Sequence, residues 1–434
     1  MIRRIYIDGY KSFKDFELTI GPLAVIMGPN ATGKSNLLDA LALLSSTVTN
    51  PTLTKAFSSH RGLPLECIYG WTPSDEYGSR DITFEVDLEI DEDTEKELKE
   101  EIKAIRKPYI DSKDDIKHEL HGDVQFDSTP QERIALCRQL RYRLVLRVDL
   151  KSGNIGVFDE KLEALRKDFT ETLKSRNPFV GKSNGKLSLR MEGQAHPRYF
   201  DVGIDHTILS TPLYLPHYQH MSLAKREMEK WAFYYFEPRE IMRAANPISE
   251  VKNIGSRGEN LTAFLNTLEA ENPKQFASLV KSLAQVLPRV KDILIERTKD
   301  GQLLLHVTEE DGERTARVVS EGTLRIIGIA SILSALKPAN VVGYEEPENG
   351  VHPRRIQLLA DWFIEYVETM QKQVIITTHS PIFARCFESE QLFVSLWENQ
   401  RTQIMPFSTF GELFMKQEID DALEENFATG VYGG

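Results

Sequence analysis

The sequence contains few cysteines, no long apolar run and no overall excess of positive charge. Its three cysteines stand far apart and form no Cys-x-x-Cys pair, which argues against zinc sites and disulfide frameworks and favours a reducing compartment. No stretch approaches the roughly 18 consecutive apolar residues that a membrane-spanning helix needs. The first residues, MIRRIYIDGYKSF, lack the apolar segment of a secretory signal. These absences lead us to expect a cytoplasmic protein with no membrane association.

Charge is distributed unevenly along the 434 residues. The formal net charge of −12 argues weakly against a surface devoted to nucleic acid. Residues 91–130 are dominated by Asp and Glu, whereas residues 161–190 carry eight Lys or Arg against three acids. This basic stretch is compatible with either a solvated lobe or a local phosphate-binding face.

The segment GPNATGKS, residues 28–35, fits the phosphate-binding pattern GxxxxGK[ST]. It follows the apolar run LAVIM and opens a helical pattern, which is the context that this motif requires. Backbone amides of such a loop surround phosphates, and the helix N-terminus adds positive potential. We expect Lys34 to reach the β- and γ-phosphates of ATP and Ser35 to ligate Mg²⁺. The predicted nucleotide-binding residues of this loop are Gly28, Pro29, Asn30, Ala31, Thr32, Gly33, Lys34, Ser35 and Asn36.

The segment VVGYEEPENGVHP, residues 341–353, places two glutamates directly after an apolar run. Such a pair alone is compatible with a solvated loop, but a P-loop enzyme needs an acid at the end of a neighbouring buried strand to hold Mg²⁺. We expect Glu345 to be this metal-directed acid and Glu346 to polarise the attacking water. An Asp is usual at the first position, so the longer Glu345 leaves the metal distance open.

Two further segments end in polar residues that suit a triphosphate site. QVIITTHSP, residues 373–381, is an apolar strand that places His379 at the carboxyl edge of a sheet, where it is either structural or a sensor of the γ-phosphate. In VSEGTLR, residues 319–325, Ser320 is either a simple helix N-cap or, with Gly322, a contact to the γ-phosphate of a second copy. The order of P-loop, Ser-x-Gly helix start, Glu–Glu strand and His is that of ABC-type ATPases, which favours the functional interpretation of both segments.

Alternation of strands and helices after residue 320 predicts a mostly parallel sheet, whereas the period-two segments 82–90 and 141–150 predict antiparallel strands. The expected fold class is α/β, an ABC-type ATPase head with an antiparallel β subdomain and an inserted α/β-helical lobe. The predicted domains are 1–91 (N-terminal part of the head with the P-loop), 92–230 (an insertion), 231–417 (the rest of the head) and 418–434 (an acidic tail).

Long stretches of the chain resemble known ATPases. RIYIDGYKSFKDFELTIGPLAVIMGPNATGKSNLLDAL resembles the opening of the SMC family and its recombination-repair relatives. EEPENGVHP, THSP and GSRGENLTAFL (255–265) resemble stand-alone ABC-type ATPases of prokaryotes related to the OLD family, among them ATPase subunits of anti-phage defence systems. The resemblance covers about 1–90 and 230–400.

This resemblance implies an ATPase that converts ATP and water to ADP and phosphate with Mg²⁺. Two copies would hold two ATP molecules, each between one P-loop and the other copy's segment 320–322, with residues 348–352 along the interface. Lys11 and Ser12, in the early turn, either touch the nucleotide or lie in an exposed turn.

Several departures from these families limit what the resemblance implies. No Gln occurs between Pro29 and Val124, so the glutamine-bearing loop that usually follows the P-loop helix is missing or displaced. The zinc hook and long coiled coil of the repair relatives are absent. The sequence ends soon after His379, without room for the TOPRIM nuclease domain of OLD enzymes. We therefore expect any nuclease or toxin effector to be a separate chain.

Three functional hypotheses follow. The leading one is a cytoplasmic ATPase that forms a homodimer on ATP and regulates a separate nuclease or toxin, in prokaryotic anti-phage defence. The alternative is an SMC-like DNA-repair or chromosome-maintenance ATPase that binds DNA through Lys174, Arg176 and Lys182. A transporter cassette is disfavoured by the GYKSF opening, the large insertion and the missing glutamine loop.

Overall fold

The computed structural model describes residues 1–75, 77–119, 136–173, 177–192 and 197–410. Its strands are β1 Ile2–Asp8, β2 Phe16–Thr19, β3 Leu23–Met27, β4 Ser79–Glu89, β5 Gln139–Asp149, β6 Ile155–Ala164, β7 Val180–Ser183, β8 Lys186–Leu189, β9 Arg198–Phe200, β10 Trp231–Tyr234, β11 Asn246–Pro247, β12 Val290–Arg297, β13 Gln302–Glu309, β14 Gly312–Thr315, β15 Val341–Glu345, β16 Gln373–Thr378, β17 Leu392–Glu398 and β18 Arg401–Pro406. Its α-helices are α1 Lys34–Thr49, α2 Leu53–Phe57, α3 Glu92–Glu119, α4 Gln219–Glu229, α5 Leu261–Glu271, α6 Pro273–Val286, α7 Glu321–Leu333, α8 Ile356–Met370 and α9 Pro381–Ala384. The predicted acidic tail, 418–434, lies outside the described residues.

The chain divides into two compact units. The first unit contains residues 1–19 and 43–229, and the second contains residues 20–42 and 230–434. The divisions fall after β2, within α1 and at the end of α4. Within the described residues, no helix has both the length and the apolar character needed to cross a membrane.

An eight-stranded antiparallel sheet forms the framework of the first unit, in the order β2-β1-β4-β5-β6-β7-β8-β9. Strands β4 and β5 pair over eleven residues each, from Ser79 opposite Asp149 to Glu89 opposite Gln139. The alternating apolar residues of β5, including Tyr142, Leu144 and Leu146, are fully buried, as expected for a sheet with one packed face.

Ion pairs cross between neighbouring strands of this sheet. Arg4 of β1 lies 2.8 Å from Glu17 of β2 and 2.6 Å from Glu85 of β4. Two arginines of β5 continue the pattern, since Arg141 lies 2.6 Å from Asp87 and Arg147 lies 2.7 Å from Asp81. Opposite charges at neighbouring positions support a strand pair by roughly 0.2–1 kcal/mol, so these pairs reinforce the register. They also compensate the positive charge of the arginine-rich strand.

The second unit is built on a six-stranded sheet in the order β10-β15-β16-β3-β17-β18. The first five strands are parallel to one another and β18 is antiparallel to β17. This arrangement agrees with the predicted mostly parallel sheet. Every residue of β3 and β16 is buried, which explains why these strands are continuous apolar runs rather than alternating ones.

Helices and a second sheet complete this unit. Strands β11, β12, β13 and β14 form a small antiparallel sheet in which β13 is central. One apolar core includes side chains of the parallel strands and of α5, α6, α7 and α8, such as Val25, Leu265, Leu283, Leu324 and Leu359. Each such buried side chain contributes roughly 1.5–3 kcal/mol of hydrophobic stabilisation. Helix α7, which follows the predicted Ser-x-Gly helix start, begins at Glu321 and ends at Leu333.

A buried carboxyl group lies inside the first unit. Glu160 of β6 accepts hydrogen bonds from the backbone N–H groups of Ile208 (2.6 Å) and Leu209 (3.0 Å) and from the hydroxyl of Tyr142 (3.1 Å). Burial raises the pKa of Glu160 to about 7, although these three donors oppose the shift. The folded carboxyl therefore holds its proton more tightly than the unfolded one, and this contribution to stability is lost as the pH rises through the folded pKa.

Raising the pH from about 5 to about 8 should lower the free energy of unfolding through Glu160 by about 3 kcal/mol, since each pKa unit corresponds to about 1.4 kcal/mol. Glu160→Gln cannot ionise and should flatten this dependence, even if the variant is less stable at pH 5. The free energy of unfolding of both proteins is measured with urea at several pH values. The difference between the two proteins at each pH isolates the contribution of the Glu160 carboxyl. A variant whose stability falls with pH as steeply as that of the parent would contradict the assignment.

Candidate active site

Three predicted site segments meet at one edge of the parallel sheet of the second unit. The register pairs Met27 of β3 with Thr378 of β16, and Thr377 of β16 with Glu345 of β15. The P-loop, the acidic segment and His379 each follow the carboxyl end of one of these three adjacent strands. Neighbouring strands lie about 4.8 Å apart, so the register alone brings the three segments together.

The P-loop has a backbone that tolerates few side chains. Gly28 has φ +156° and Gly33 has φ +91°, while Ala31 has φ +64° in the left-handed region. A Cβ added at Gly28 would lie 2.6 Å from the carbonyl oxygen of Ser395. Glycine at position 28 is thus required by the close approach of β17, which leaves the loop amides without a side chain in front of them.

Lys34, the first residue of α1, is buried beneath this loop. Its Nζ donates hydrogen bonds to the carbonyl oxygens of Gly28 (2.7 Å) and Pro29 (2.5 Å). Burial lowers the pKa of the Lys34 amine, and the negative charges of Glu346, Glu348 and Glu345 oppose this shift. We call residues 345–351 the acidic turn. The charge of the Lys34 amine therefore interacts with all three carboxylates of this turn.

Three contacts fix the position of Glu346, one through its backbone and two through its side chain. Its backbone adopts φ +48°, an unusual conformation for a residue with a side chain, and its N–H donates to the Thr377 carbonyl at 2.8 Å. The amide of Asn349 donates to Glu346 Oε2 at 2.6 Å. His379 Nδ1 lies 3.0 Å from Glu346 Oε1, an ion-pair separation rather than an aligned hydrogen bond. The structure thus places the two predicted catalytic side chains in contact.

A second contact joins the acidic turn to the strand before His379. Glu348 is buried, and one of its carboxylate oxygens accepts a hydrogen bond from the hydroxyl of Thr378. Among the described residues, its other oxygen, Oε2, has no hydrogen-bond partner. Burial raises the pKa of the Glu348 carboxyl, while the Thr378 hydroxyl opposes this shift. Glu348 was expected along the interface between two copies but not as a catalytic, nucleotide or metal site residue, although its position two residues after Glu346 was a usable signal.

The segment 320–322, which we call the signature segment, lies at the start of α7. Ser320 is exposed, and its hydroxyl accepts a hydrogen bond from the Thr323 N–H at 3.1 Å as the N-cap of the helix. Gly322 packs directly on Gly350 of the acidic turn, since a Cβ added at Gly322 would lie 2.2 Å from the Gly350 carbonyl oxygen. The signature segment and the acidic turn are therefore in backbone contact within one chain.

Two arginines lie against the signature segment. Arg239, in the short π-helical turn Pro238–Met242, lies within 2.9 Å of Glu321 Oε1 through both Nε and an Nη nitrogen. Arg243 donates from Nη2 to the Val319 carbonyl at 2.9 Å. Neither arginine was selected from the sequence, because nothing in the segment REIMR marks which residues it contacts.

The carbonyl of Thr32 in the P-loop has two hydroxyl donors that sequence reasoning missed. Ser395 of β17 donates at 3.1 Å and Thr402 of β18 donates at 2.8 Å. Both residues are buried. They lie more than 360 residues after the loop, so only the strand register could have identified them.

The residues at the sheet edge fit a magnesium-bound triphosphate. The glycine conformations leave the loop amides accessible, and Lys34 supplies a cation beneath them. Ser35 and Glu345 offer the hard oxygen ligands that Mg²⁺ prefers. The buried, unpartnered oxygen of Glu348 is a further polar group at this edge.

Other predicted residues lie elsewhere. Lys11 and Ser12 belong to the first unit, where Ser12 is buried and the Lys11 N–H donates to the Cys67 carbonyl at 2.7 Å. Their contact with a nucleotide stays a prediction. Lys174 and Arg176 lie outside the described residues. Lys182 Nζ donates to the Phe158 carbonyl at 3.2 Å and lies over the Phe158 ring, 3.8 Å from its centre.

Two protein-family profiles match the chain. One, described as an AAA ATPase domain, matches residues 1–191. The other, described as an AAA domain of the AbiEii toxin type in type IV toxin–antitoxin systems, matches residues 208–385. No curated protein matches the chain by sequence.

The solved structures to which the chain is similar include SMC heads. An SMC head bound to the C-terminal winged-helix domain of ScpA has a TM-score of 0.50 at 10% identity, with 93% of this chain and 96% of that chain covered. The SMC head of Thermotoga maritima has a TM-score of 0.39 at 11% identity, with 93% and 98% covered. A Pyrococcus furiosus SMC head with an extended coiled coil has a TM-score of 0.46 at 10% identity, with 98% of both chains covered. The first of these likenesses confirms the predicted ABC-type α/β head fold.

Gly322→Ala should displace the start of α7 and lower the free energy of unfolding by roughly 1–3 kcal/mol, as overpacking does, because its Cβ would overlap the Gly350 carbonyl. Gly21→Ala is the matched control, since a Cβ there meets no atom within 4 Å. Urea unfolding of both variants tests the contact. Equal stabilities would show that the glycine contact is not required.

Removing both hydroxyl donors, in Ser395→Ala/Thr402→Val, should weaken ATP binding roughly tenfold, because a buried carbonyl left unpaired costs about 1–3 kcal/mol and would shift the P-loop. The control Ser395→Ala/Thr402→Ser keeps one donor and should bind ATP more tightly than the first variant. Titration calorimetry with ATP measures both. If Ser395→Ala/Thr402→Val bound ATP with the parent's affinity, these two hydroxyls would not be needed to position the P-loop.

Proposed function

Since the chain belongs to the SMC/OLD-like AAA ATPases, we propose that it hydrolyses ATP in a homodimer whose two copies share each nucleotide, and that it thereby regulates a separate effector. Lys34 and the P-loop of one copy would bind the triphosphate, and Ser320 and Gly322 of the other copy would complete the site. The effector would be a nuclease or toxin of a prokaryotic anti-phage system in the cytoplasm.

The observation that carries the catalytic part of this proposal is the contact between Glu346 and His379. A general base needs a carboxylate that is oriented by neighbouring groups and lies close to the bound phosphate. Asn349 fixes one oxygen of Glu346, and His379 lies 3.0 Å from the other. Glu346 would orient and deprotonate the attacking water, while His379 would contact the γ-phosphate. Bound Mg²⁺, held by Ser35 and Glu345, would neutralise charge on the phosphates.

The shared site is supported by the exposure of Ser320. A contact to a nucleotide of a second copy requires the signature segment to be accessible, and Ser320 is exposed at the start of a thirteen-residue helix. The amides at such a helix start favour an anion. Because an ATP molecule bound in this way contacts both copies, it would stabilise the dimer by mass action.

The regulatory part of the proposal is supported by the family match. The profile that covers residues 208–385 describes an AAA domain of a type IV toxin–antitoxin system. An SMC head of similar fold is found with a domain of a separate protein, ScpA. A separate effector bound to the head is our inference for this chain.

Glu346→Gln should lower ATP turnover by at least about a hundredfold, since a general base contributes roughly 10²–10⁴ in rate, and should accumulate an ATP-bound dimer. Glu250→Gln, an exposed glutamate paired with Lys252, serves as the control and should leave turnover and dimerisation unchanged. Light scattering coupled to gel filtration and a phosphate-release assay provide the measurements. The mechanism is wrong if the Glu346 variant stays monomeric at saturating ATP and keeps full turnover.

A further inference from the structure

The signature segment contains a charge that opposes its proposed role. Glu321 lies between Ser320 and Gly322, in the first turn of α7. A carboxylate at a helix start is itself favoured by the helix dipole, but it would repel a phosphate brought to the same place. A site for the γ-phosphate at this helix start therefore requires a positive charge that compensates Glu321.

Arg239 supplies this charge. Its guanidinium contacts a single carboxylate oxygen, Glu321 Oε1, at 2.9 Å through Nε and at 2.8 Å through an Nη nitrogen. The side chain of Arg239 nevertheless remains 78% exposed. A guanidinium has five N–H donors, so this pairing leaves donors on the terminal nitrogens of an exposed side chain.

The backbone that holds Arg239 is packed firmly against α7. Phe236 and Met242, on either side of Arg239, lie so close to Gly328 of α7 that an added Cβ there would lie 2.3 Å from one ring carbon and 2.8 Å from the methionine methyl group. Arg243, from the same turn, donates to the Val319 carbonyl. Arg239 is thus placed beside the signature segment before any ligand binds.

The opposite side of the proposed shared site is rich in negative charge. Glu345, Glu346 and Glu348 all act electrostatically on Lys34, and a bound triphosphate would add to this negative charge. In the proposed two-fold dimer, the surface that carries the signature segment of one copy would meet the P-loop edge of the other. The Arg239 guanidinium, paired with Glu321 of that segment, would complement this edge in charge and match phosphate in geometry.

We propose that Arg239 of one copy binds the γ-phosphate of the ATP held by the P-loop of the other copy, with Glu321 fixing the direction of its guanidinium. This inference rests on the proposed shared-site dimer. It adds to that proposal a cation supplied in trans, which would both stabilise the ATP-bound dimer and neutralise charge at the transferred phosphate.

In the Glu346→Gln protein, Arg239→Ala should raise the ATP concentration for half-maximal dimerisation by about tenfold or more, since a hydrogen bond to a charged group contributes about 1.5–3 kcal/mol. Arg166→Ala, which removes an exposed arginine paired with Glu171, is the matched control and should cause no change. If the parent dimerises and the Arg239 variant dimerises equally well, this inference fails while the proposed function stands. If the parent does not dimerise, the proposed function fails.

Adding Glu321→Gln to Arg239→Ala separates two roles of the arginine. Direct phosphate binding predicts that the double variant stays as impaired as Arg239→Ala alone, because the missing donors are not replaced. Recovery of dimerisation to the level of Glu321→Gln alone would show that Arg239 only compensates Glu321, and would overturn the proposal.

Mixed dimers test whether Arg239 acts on the other copy's nucleotide. All proteins carry Glu346→Gln, and dimers with two different affinity tags are isolated after ATP addition. A Lys34→Ala copy paired with an Arg239→Ala copy keeps one intact shared site and should retain ATP. A Lys34→Ala/Arg239→Ala copy paired with a parent copy has both sites damaged and should retain little. Equal retention, or the reverse order, would overturn the assignment in trans.

Discussion

The parallel hydrogen bonding of β15, β16 and β3 is the constraint on which the candidate site depends. Hundreds of residues separate the P-loop from the acidic turn, and a helix and a strand separate the acidic turn from His379. They become neighbours because Met27, Thr378 and Glu345 lie at the ends of three strands whose register is fixed. A slip of one residue in β16 would turn buried side chains to the opposite face and would separate His379 from Glu346. The complete burial of β3 and β16 makes such a slip costly.

The acidic turn adds a second level of organisation, because this one short segment contacts both the end of β16 and the signature segment. Glu346 faces His379, Glu348 accepts from Thr378, and Gly350 packs on Gly322 of the signature segment. The left-handed backbone at Glu346 is unfavourable by about 1 kcal/mol or more and is maintained by the hydrogen bonds around it. A displacement of this turn would therefore move Glu346, the proposed catalytic carboxylate, and the signature segment together. The chain thus has a physical connection between the nucleotide that it binds and the surface that it would offer to a second copy.

The sequence predicted those parts of the fold and site that depend on contiguous residues. The strands LAVIM and QVIITT are recognisable because strands buried on both faces are apolar throughout, and Lys34, Glu346 and His379 were identified from their positions at or beyond strand ends. Ser395 and Thr402 were not predicted, because their roles depend on which distant backbone lies beside them. Arg239 was missed for the same reason, since its importance follows from Glu321, 82 residues away. The grouping of residues 1–19 with residues 43–229 likewise depends on the pairing of β1 with β4.

The charges around Lys34 support the proposal that a second copy contributes to the site. Within the second unit, Lys34 is the cation that the three glutamates of the acidic turn act upon, and its own carbonyl contacts already use part of its donor capacity. A triphosphate bound beside these carboxylates would add negative charge, which bound Mg²⁺, the loop amides and a cation from a second copy would together offset. Charge supplied from another surface would make nucleotide affinity depend on dimerisation and dimerisation depend on the nucleotide. That reciprocity is the thermodynamic basis of a switch, and loss of the γ-phosphate would weaken the contact between the copies.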